Sequence, residues 1–175
     1  PGWVRFVKSQ FPRFVNNLST AKSPQQMFGA VAKSYFAQSI GADPHDIFVV
    51  SIMPCTAKKF EAARPEMQVN GHPDVDVVLT TRELDRMLQA MQINVAALPE
   101  EDFDSPLGRG SGAGVIFGVT GGVTEAVLRR ITSDKSQAAL RAIAFKGVRG
   151  NEGVKEAEVP YGGRVLKIAV VSGLG

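Results

Sequence analysis

Ile47-Phe48-Val49-Val50-Ser51-Ile52-Met53-Pro54-Cys55-Thr56-Ala57-Lys58-Lys59 is the stretch on which the fold turns. Residues 47–52 form a short, nearly continuous apolar run flanked by Pro44 and Pro54, which reads as a buried strand of a largely parallel sheet. Pro54 has no N–H to donate and must break the ladder. Cys55 is therefore expected at the carboxyl end of a central strand, the edge where open α/β sheets tend to place their ligands. If the chain turns helical after Pro54, Cys55 and Lys58 fall three residues apart on one helical face. A cation so near a thiol favours the thiolate, the form that binds metal or attacks. A lone Cys at a strand end is nevertheless more often a small buried hydrophobe, and a nearby Lys is commonplace.

Working outward, residues 3–15 carry apolar positions at helical spacing, with Pro12 ending or kinking the helix. After a loop at 19–22, Ser23 is suited to N-cap a helix, Pro24 to its first position and Gln26 to closing a capping box. Met27, Phe28, Val31, Ala32, Tyr35, Phe36 and Ile40 mark its apolar face, and Gly41 its stop. Val75 to Leu79 reads as a second strand. Thr80 and Glu83 form a capping box for a helix through Met91 with Leu84, Met87, Leu88 and Met91 on one face. A Gly-rich segment at 108–122 leads into a helix with Val123, Ala126, Val127 and Ile131 inward. A further helix is expected near 138–144, then strands near 143–149, 154–159 and 165–171. Strands alternating with helices predict an α/β fold.

Composition narrows the function. At 175 residues, 44% hydrophobic and 21% charged, the chain can bury a core of its own. No apolar run approaches the ~20 residues of a membrane span. The net charge of +3 is modest and its cations are scattered, which does not indicate nucleic-acid binding. A single Cys excludes an internal disulfide framework and any complete site built from cysteines alone. Gly108-x-Gly110-x-Gly112-x-Gly114 lacks the G-x-G-x-x-G spacing of a dinucleotide loop; close backbone approach to a bulky cofactor accounts for these glycines better. His45, His72 and Glu61 read as surface residues.

Met53-Pro54-Cys55-x-x-Lys58, with Glu61 following, resembles the second signature motif of iron-only (FeFe) hydrogenases. Pro1-Gly2-Trp3 is similar to the tail of that family's first signature. Asn17-Leu18-Ser19-Thr20-Ala21-Lys22-Ser23-Pro24-Gln25-Gln26 and Gly112-Ala113-Gly114-Val115-Ile116-Phe117-Gly118-Val119-Thr120-Gly121-Gly122-Val123 are similar to segments lining its catalytic pocket. A single C-x-x-K would be weak, but four segments in the family's order are specific.

The resemblance implies an α/β fold of mixed, largely parallel sheets flanked by helices, part of the two-lobed catalytic domain of the large subunit. Residues 1–175 would be a fragment of that single H-cluster domain, without a separate linker. The first signature's cysteines are expected before Pro1, and a last Cys-containing loop after Gly175. The implied activity is reversible reduction of protons to hydrogen at an H-cluster, a 4Fe–4S cubane joined to a di-iron subcluster. Ferredoxin or a similar carrier would supply electrons, and hydrogenase maturation proteins would be further partners. Cys55 would be one of four cubane ligands, so the isolated chain is expected not to hold the cofactor. Lys58 would donate to a cyanide of the di-iron subcluster, Met53 would pack on it, and Pro24, Gln25 and Phe117 would line the same pocket. Ser19 would relay protons, although a loop serine more commonly caps local backbone. The expected compartment is the cytoplasm, with the periplasm as the alternative. The rival readings are a relative acting in Fe–S sensing or cluster assembly, and a plain α/β interaction domain with an inert Cys55.

Overall fold

The computed structural model describes residues 1–132, 146–148 and 151–173. The helix expected near 138–144 lies outside them. The chain divides into two units, Pro1–Leu107 and Gly108–Gly175.

The first unit opens with α1 (Gly2–Gln10), a 3-10 turn (Pro12–Asn17) and α2 (Pro24–Val31). Pro12 divides the first two, because its ring cannot continue a helix donating backward. Ser23 caps α2 as expected, its Oγ accepting the Gln26 N–H at 3.4 Å. The capping box does not close. Gln26 is wholly buried, and its side-chain amide has no partner among the described residues.

Helical winding continues past α2 through a wider π-turn (Ala32–Phe36) into α3 (Ala37–Ile40). The Ala37 N–H donates to the Ala32 carbonyl, five residues back. Gly41, at φ 67°, ends the run in the left-handed conformation.

Apart from Ala32, the most buried residues are not those of the expected face. Gln25, Gln26, Gly29, Ala32 and Ala37 are buried, whereas Met27, Phe28, Val31, Tyr35 and Ile40 are 40–65% exposed. The reason is a close approach of backbones. A Cβ at Gly29 would stand 2.2 Å from the Asp74 carbonyl oxygen, so only the small and polar side of α2 fits against the chain there.

β1 (Val50–Ile52) pairs in parallel with β4 (Val77–Leu79), in the register Val50↔Val77 and Ile52↔Leu79. The strand expected at 47–52 is thus shorter, and it is open on one face, with Val50 and Ile52 nearly half exposed. Its entry is fixed by Asp76, whose carboxylate accepts the Val49 N–H at 2.6 Å and the Lys33 ammonium at 2.7 Å. Between these strands lie α4 (Ala57–Ala62) and a hairpin of β2 (Gln68–Val69) and β3 (His72–Pro73). Sequence reading did not anticipate the hairpin, although Asn70-Gly71, both at positive φ, is a strong two-residue turn signal.

α5 (Thr81–Ala90) starts in the expected capping box. The Thr80 N–H donates to Glu83 at 2.7 Å and the Glu83 N–H to the Thr80 hydroxyl at 3.2 Å. Leu84 and Leu88 are half-buried, while Met87 and Met91 are exposed. The Lys59 ammonium, 2.8 Å away, and these Thr80 donors hold the Glu83 carboxyl at about 2, against an ordinary 4.5. A depressed carboxyl contributes stability that is present above its unfolded pKa and is lost as pH falls through the folded one. Glu83→Gln is therefore expected to flatten the loss of thermal stability between pH 4.5 and about 2, read by circular dichroism. An unchanged acid limb would refute this role for Glu83.

The second unit contains α6 (Ala113–Ile116), α7 (Gly122–Ile131) and an antiparallel sheet ordered β5 (Lys146–Val148), β6 (Asn151–Tyr161), β7 (Arg164–Val171). Leu128 and Val159 are buried together, with Ile131 and Ile168 packed against them. Leu128 and the expected Ile131, rather than Val123 and Val127, are therefore the inward residues of α7; those two valines are exposed.

Candidate functional site

The strand β1 delivers Met53 to its last ladder bond, the Met53 N–H donating to the Leu79 carbonyl at 2.9 Å. Pro54 ends the pairing, as its missing N–H requires. The chain then folds tightly. The Cys55 N–H donates to the Met53 carbonyl at 2.8 Å, and the Lys58 N–H to the Cys55 carbonyl at 3.3 Å. Cys55 thus stands at the carboxyl end of the parallel pair, one turn before Lys58. Met53, Cys55 and Lys58 are all half-buried, so Cys55 is not the fully buried hydrophobe that a lone strand-end Cys more often is.

Lys58 differs from its neighbours. Lys8, Lys22, Lys33 and Lys59 each meet a carboxylate, whereas the Lys58 ammonium has no ion pair or hydrogen bond among the described residues. A half-buried ammonium without an anion remains available to an anionic ligand.

The loop carrying Ser19 and the start of α2, with Pro24 and Gln25, are tied down by three side-chain bonds, two of them to this stretch. Lys22 pairs with the buried Asp74 at 2.5 Å. The Ser23 hydroxyl donates to Glu61 Oε2 at 2.9 Å, and the Ser51 hydroxyl to Gln25 Oε1 at 2.6 Å. Glu61 is therefore not the surface charge that sequence reading expected; it is 5% exposed. Its place three residues after Lys58, on the same face of α4, was the available signal. Asp74 and Asp76 were also missed, because their lysine partners lie far away in sequence.

Ser19 accepts the Ala21 N–H at 3.1 Å, the local cap that a loop serine commonly makes, and its hydroxyl hydrogen remains free to donate. Ser19, Ser23 and Glu61 line one cavity of about 400 Å³. Phe117 lies in the second unit, directly after α6, and is 43% exposed. Of the glycines around it, positions 110, 112, 114 and 118 would leave a Cβ in open space, whereas one at Gly122 would strike the Ile116 carbonyl oxygen. His45 and His72 are in edge contact, with ring centroids 3.7 Å apart.

As metal ligands these residues fit in kind but not in number. A cubane takes four thiolates, and Cys55 is the one Cys of the sequence. Among the described residues no group of three or more His, Cys, Asp or Glu side chains could hold a metal ion. No helix there is long and apolar enough to cross a membrane.

The family model for the iron only hydrogenase large subunit, C-terminal domain, matches residues 1–175. The chain belongs to the iron-only hydrogenase large-subunit family. The NADP-reducing hydrogenase subunit HndD of Solidesulfovibrio fructosivorans is 54% identical over 175 residues, 100% of this chain and 30% of that protein. The periplasmic Fe hydrogenase large subunit of Nitratidesulfovibrio vulgaris is 45% identical over 177 residues, 99% of this chain and 41% of that protein. A solved structure of HydA(deltaEFG), which reveals stepwise FeFe-hydrogenase H-cluster assembly, is similar with a TM-score of 0.68 and 40% identity, over 94% of this chain and 41% of that one. More distantly, the cytosolic iron-sulfur assembly component 3 of Pongo abelii is 33% identical over 172 residues, 95% of this chain and 36% of that protein. The chain thus spans 30–41% of the length of these relatives. Its mixed α/β architecture, with small parallel and antiparallel sheets, agrees with the solved hydrogenase domain.

Proposed function

We propose that these residues form part of the catalytic domain of an enzyme that reversibly reduces protons to hydrogen, with electrons from ferredoxin or a similar carrier. The observation that supports this most is the Lys58 ammonium, unpaired among the described residues, one tight turn beyond a strand-end cysteine. The H-cluster, when bound, supplies the redox chemistry. Cys55 would hold one corner of its cubane as a thiolate, with the other three corners held by cysteines outside residues 1–175. Lys58 would donate hydrogen bonds to an anionic cyanide, a charge-assisted contact stronger than a neutral one. Met53, Pro24 and Gln25 would line the cofactor's pocket, and Phe117 is assigned to the same cofactor by the family likeness alone. Ser19 can both accept and donate, which suits a proton relay. Maturation proteins would install the di-iron unit.

Lys58→Ala in the full-length protein tests this reading. Hydrogen evolution is expected to fall by about 10- to 100-fold, with weakened or altered infrared cyanide bands and the cubane iron retained. Full activity with unaltered bands would refute it. The likeness to the iron-sulfur assembly component favours a second reading, a cubane protein without the di-iron unit. A wild-type protein with cubane iron but no cyanide bands would select that reading.

A further inference from the structure

The geometry points to Glu61 as a positioning residue for Lys58. This rests on the reading of Lys58 as a cyanide donor and deepens it. α4 is only six residues long, too short to hold itself in place. Three consecutive side chains fix it to three different helices. Lys59 pairs with Glu83 at the start of α5. Phe60 receives the Arg5 guanidinium of α1, 5.3 Å from its ring centroid. Glu61 accepts the hydroxyl of Ser23, the N-cap of α2.

The first two contacts are exposed or partly so, with Lys59 39% and Glu83 41% exposed. The third is buried, and a hydrogen bond to a charged group in such a place is the strongest of the three. It also joins the two parts that matter to the pocket. Lys58 stands three residues before Glu61 on one side of the bond, and Pro24 and Gln25 directly follow Ser23 on the other. The Glu61–Ser23 bond therefore sets where the Lys58 ammonium stands relative to the wall formed by Pro24 and Gln25. Removing it leaves the ammonium present but displaced.

Three variants of the full-length, cluster-loaded protein test this: Glu61→Ala, Glu61→Gln and Ser23→Ala. Iron content and infrared cyanide bands are the readouts, beside hydrogen evolution. Glu61→Ala is expected to shift the cyanide band that Lys58→Ala alters and to lower activity by about tenfold, with iron content retained. Glu61→Gln keeps an acceptor for the Ser23 hydroxyl and is expected to restore the wild-type band. Ser23→Ala, which removes the same bond from its other end together with the α2 cap, a modest loss of stability, is expected to reproduce the shift. The double variant should add nothing to it.

Unshifted bands in Ser23→Ala overturn the inference. So does a shift in Glu61→Gln as large as in Glu61→Ala, which would make the charge, rather than the bond, the cause. If Lys58→Ala itself leaves the bands unaltered, or wild type has none, the cyanide-donor reading fails and takes this inference with it. If Lys58→Ala shifts them and the Glu61 and Ser23 variants do not, only the positioning role fails.

Discussion

Cys55→Ser in the full-length protein is expected to remove the cubane, lowering iron content by about four atoms per molecule and by about two more for the di-iron unit joined to it. Hydrogen evolution should fall by at least about 100-fold. Serine keeps the size and the turn; the Cys55 N–H and carbonyl bonds that shape it are made by backbone. The loss would therefore report the thiolate and not a collapsed loop. Met53→Leu, a volume-conserving change next to it, serves as the control and is expected to keep the iron. Wild-type iron content and activity in Cys55→Ser would leave Cys55 an inert residue of a plain α/β domain. Loss of iron from a protein that never evolved hydrogen would instead fit a role in iron-sulfur assembly.

The second large effect concerns stability. Gly29→Ala in an isolated helix would stabilise by about 1 kcal/mol, since alanine is the better helix former. Here the sign reverses. The new Cβ would stand 2.2 Å from the Asp74 carbonyl oxygen and 2.7 Å from its carbon, and backbone atoms cannot swing aside as a side-chain end can. α2 must move off, stretching the Lys22–Asp74, Ser23–Glu61 and Gln25–Ser51 bonds together. Overpacking of this kind costs about 1–3 kcal/mol or more, so Tm should fall by roughly 3–10 °C. A raised Tm would show that the close approach does not exist in solution.

Both effects depend on features that differ in how well the sequence announces them. Capping at Ser23 and Thr80, the stop at Gly41 and the break at Pro54 are local. Each needs only the residue and its next few neighbours, and each was legible. The position of Cys55 at a strand end followed from the same kind of evidence. Burial was not local. Met27, Phe28 and Val31 are the most apolar residues of α2, yet Gly29 faces the chain, because a carbonyl 45 residues away needs the space. Glu61 and Asp74 were misread or missed for a related reason. Their partners, Ser23 and Lys22, are 38 and 52 positions distant, and no periodicity reveals such a pairing.

The π-turn at Ala32–Phe36 settles how this helix tolerates changes in length. At 3.6 residues per turn a step of five rotates about 140° past a full circle, so Ala32 and Ala37 could not both face inward in uniform α-helix. The wider turn absorbs the surplus and brings both to the buried side. It behaves as a one-residue insertion already accommodated. Deleting a single residue there would restore ordinary winding and leave the two alanines four apart, about 40° past a full circle, so that both stay on the buried side. A one-residue deletion within 32–36 should therefore be tolerated, whereas one within α2 would turn everything downstream by about 100°.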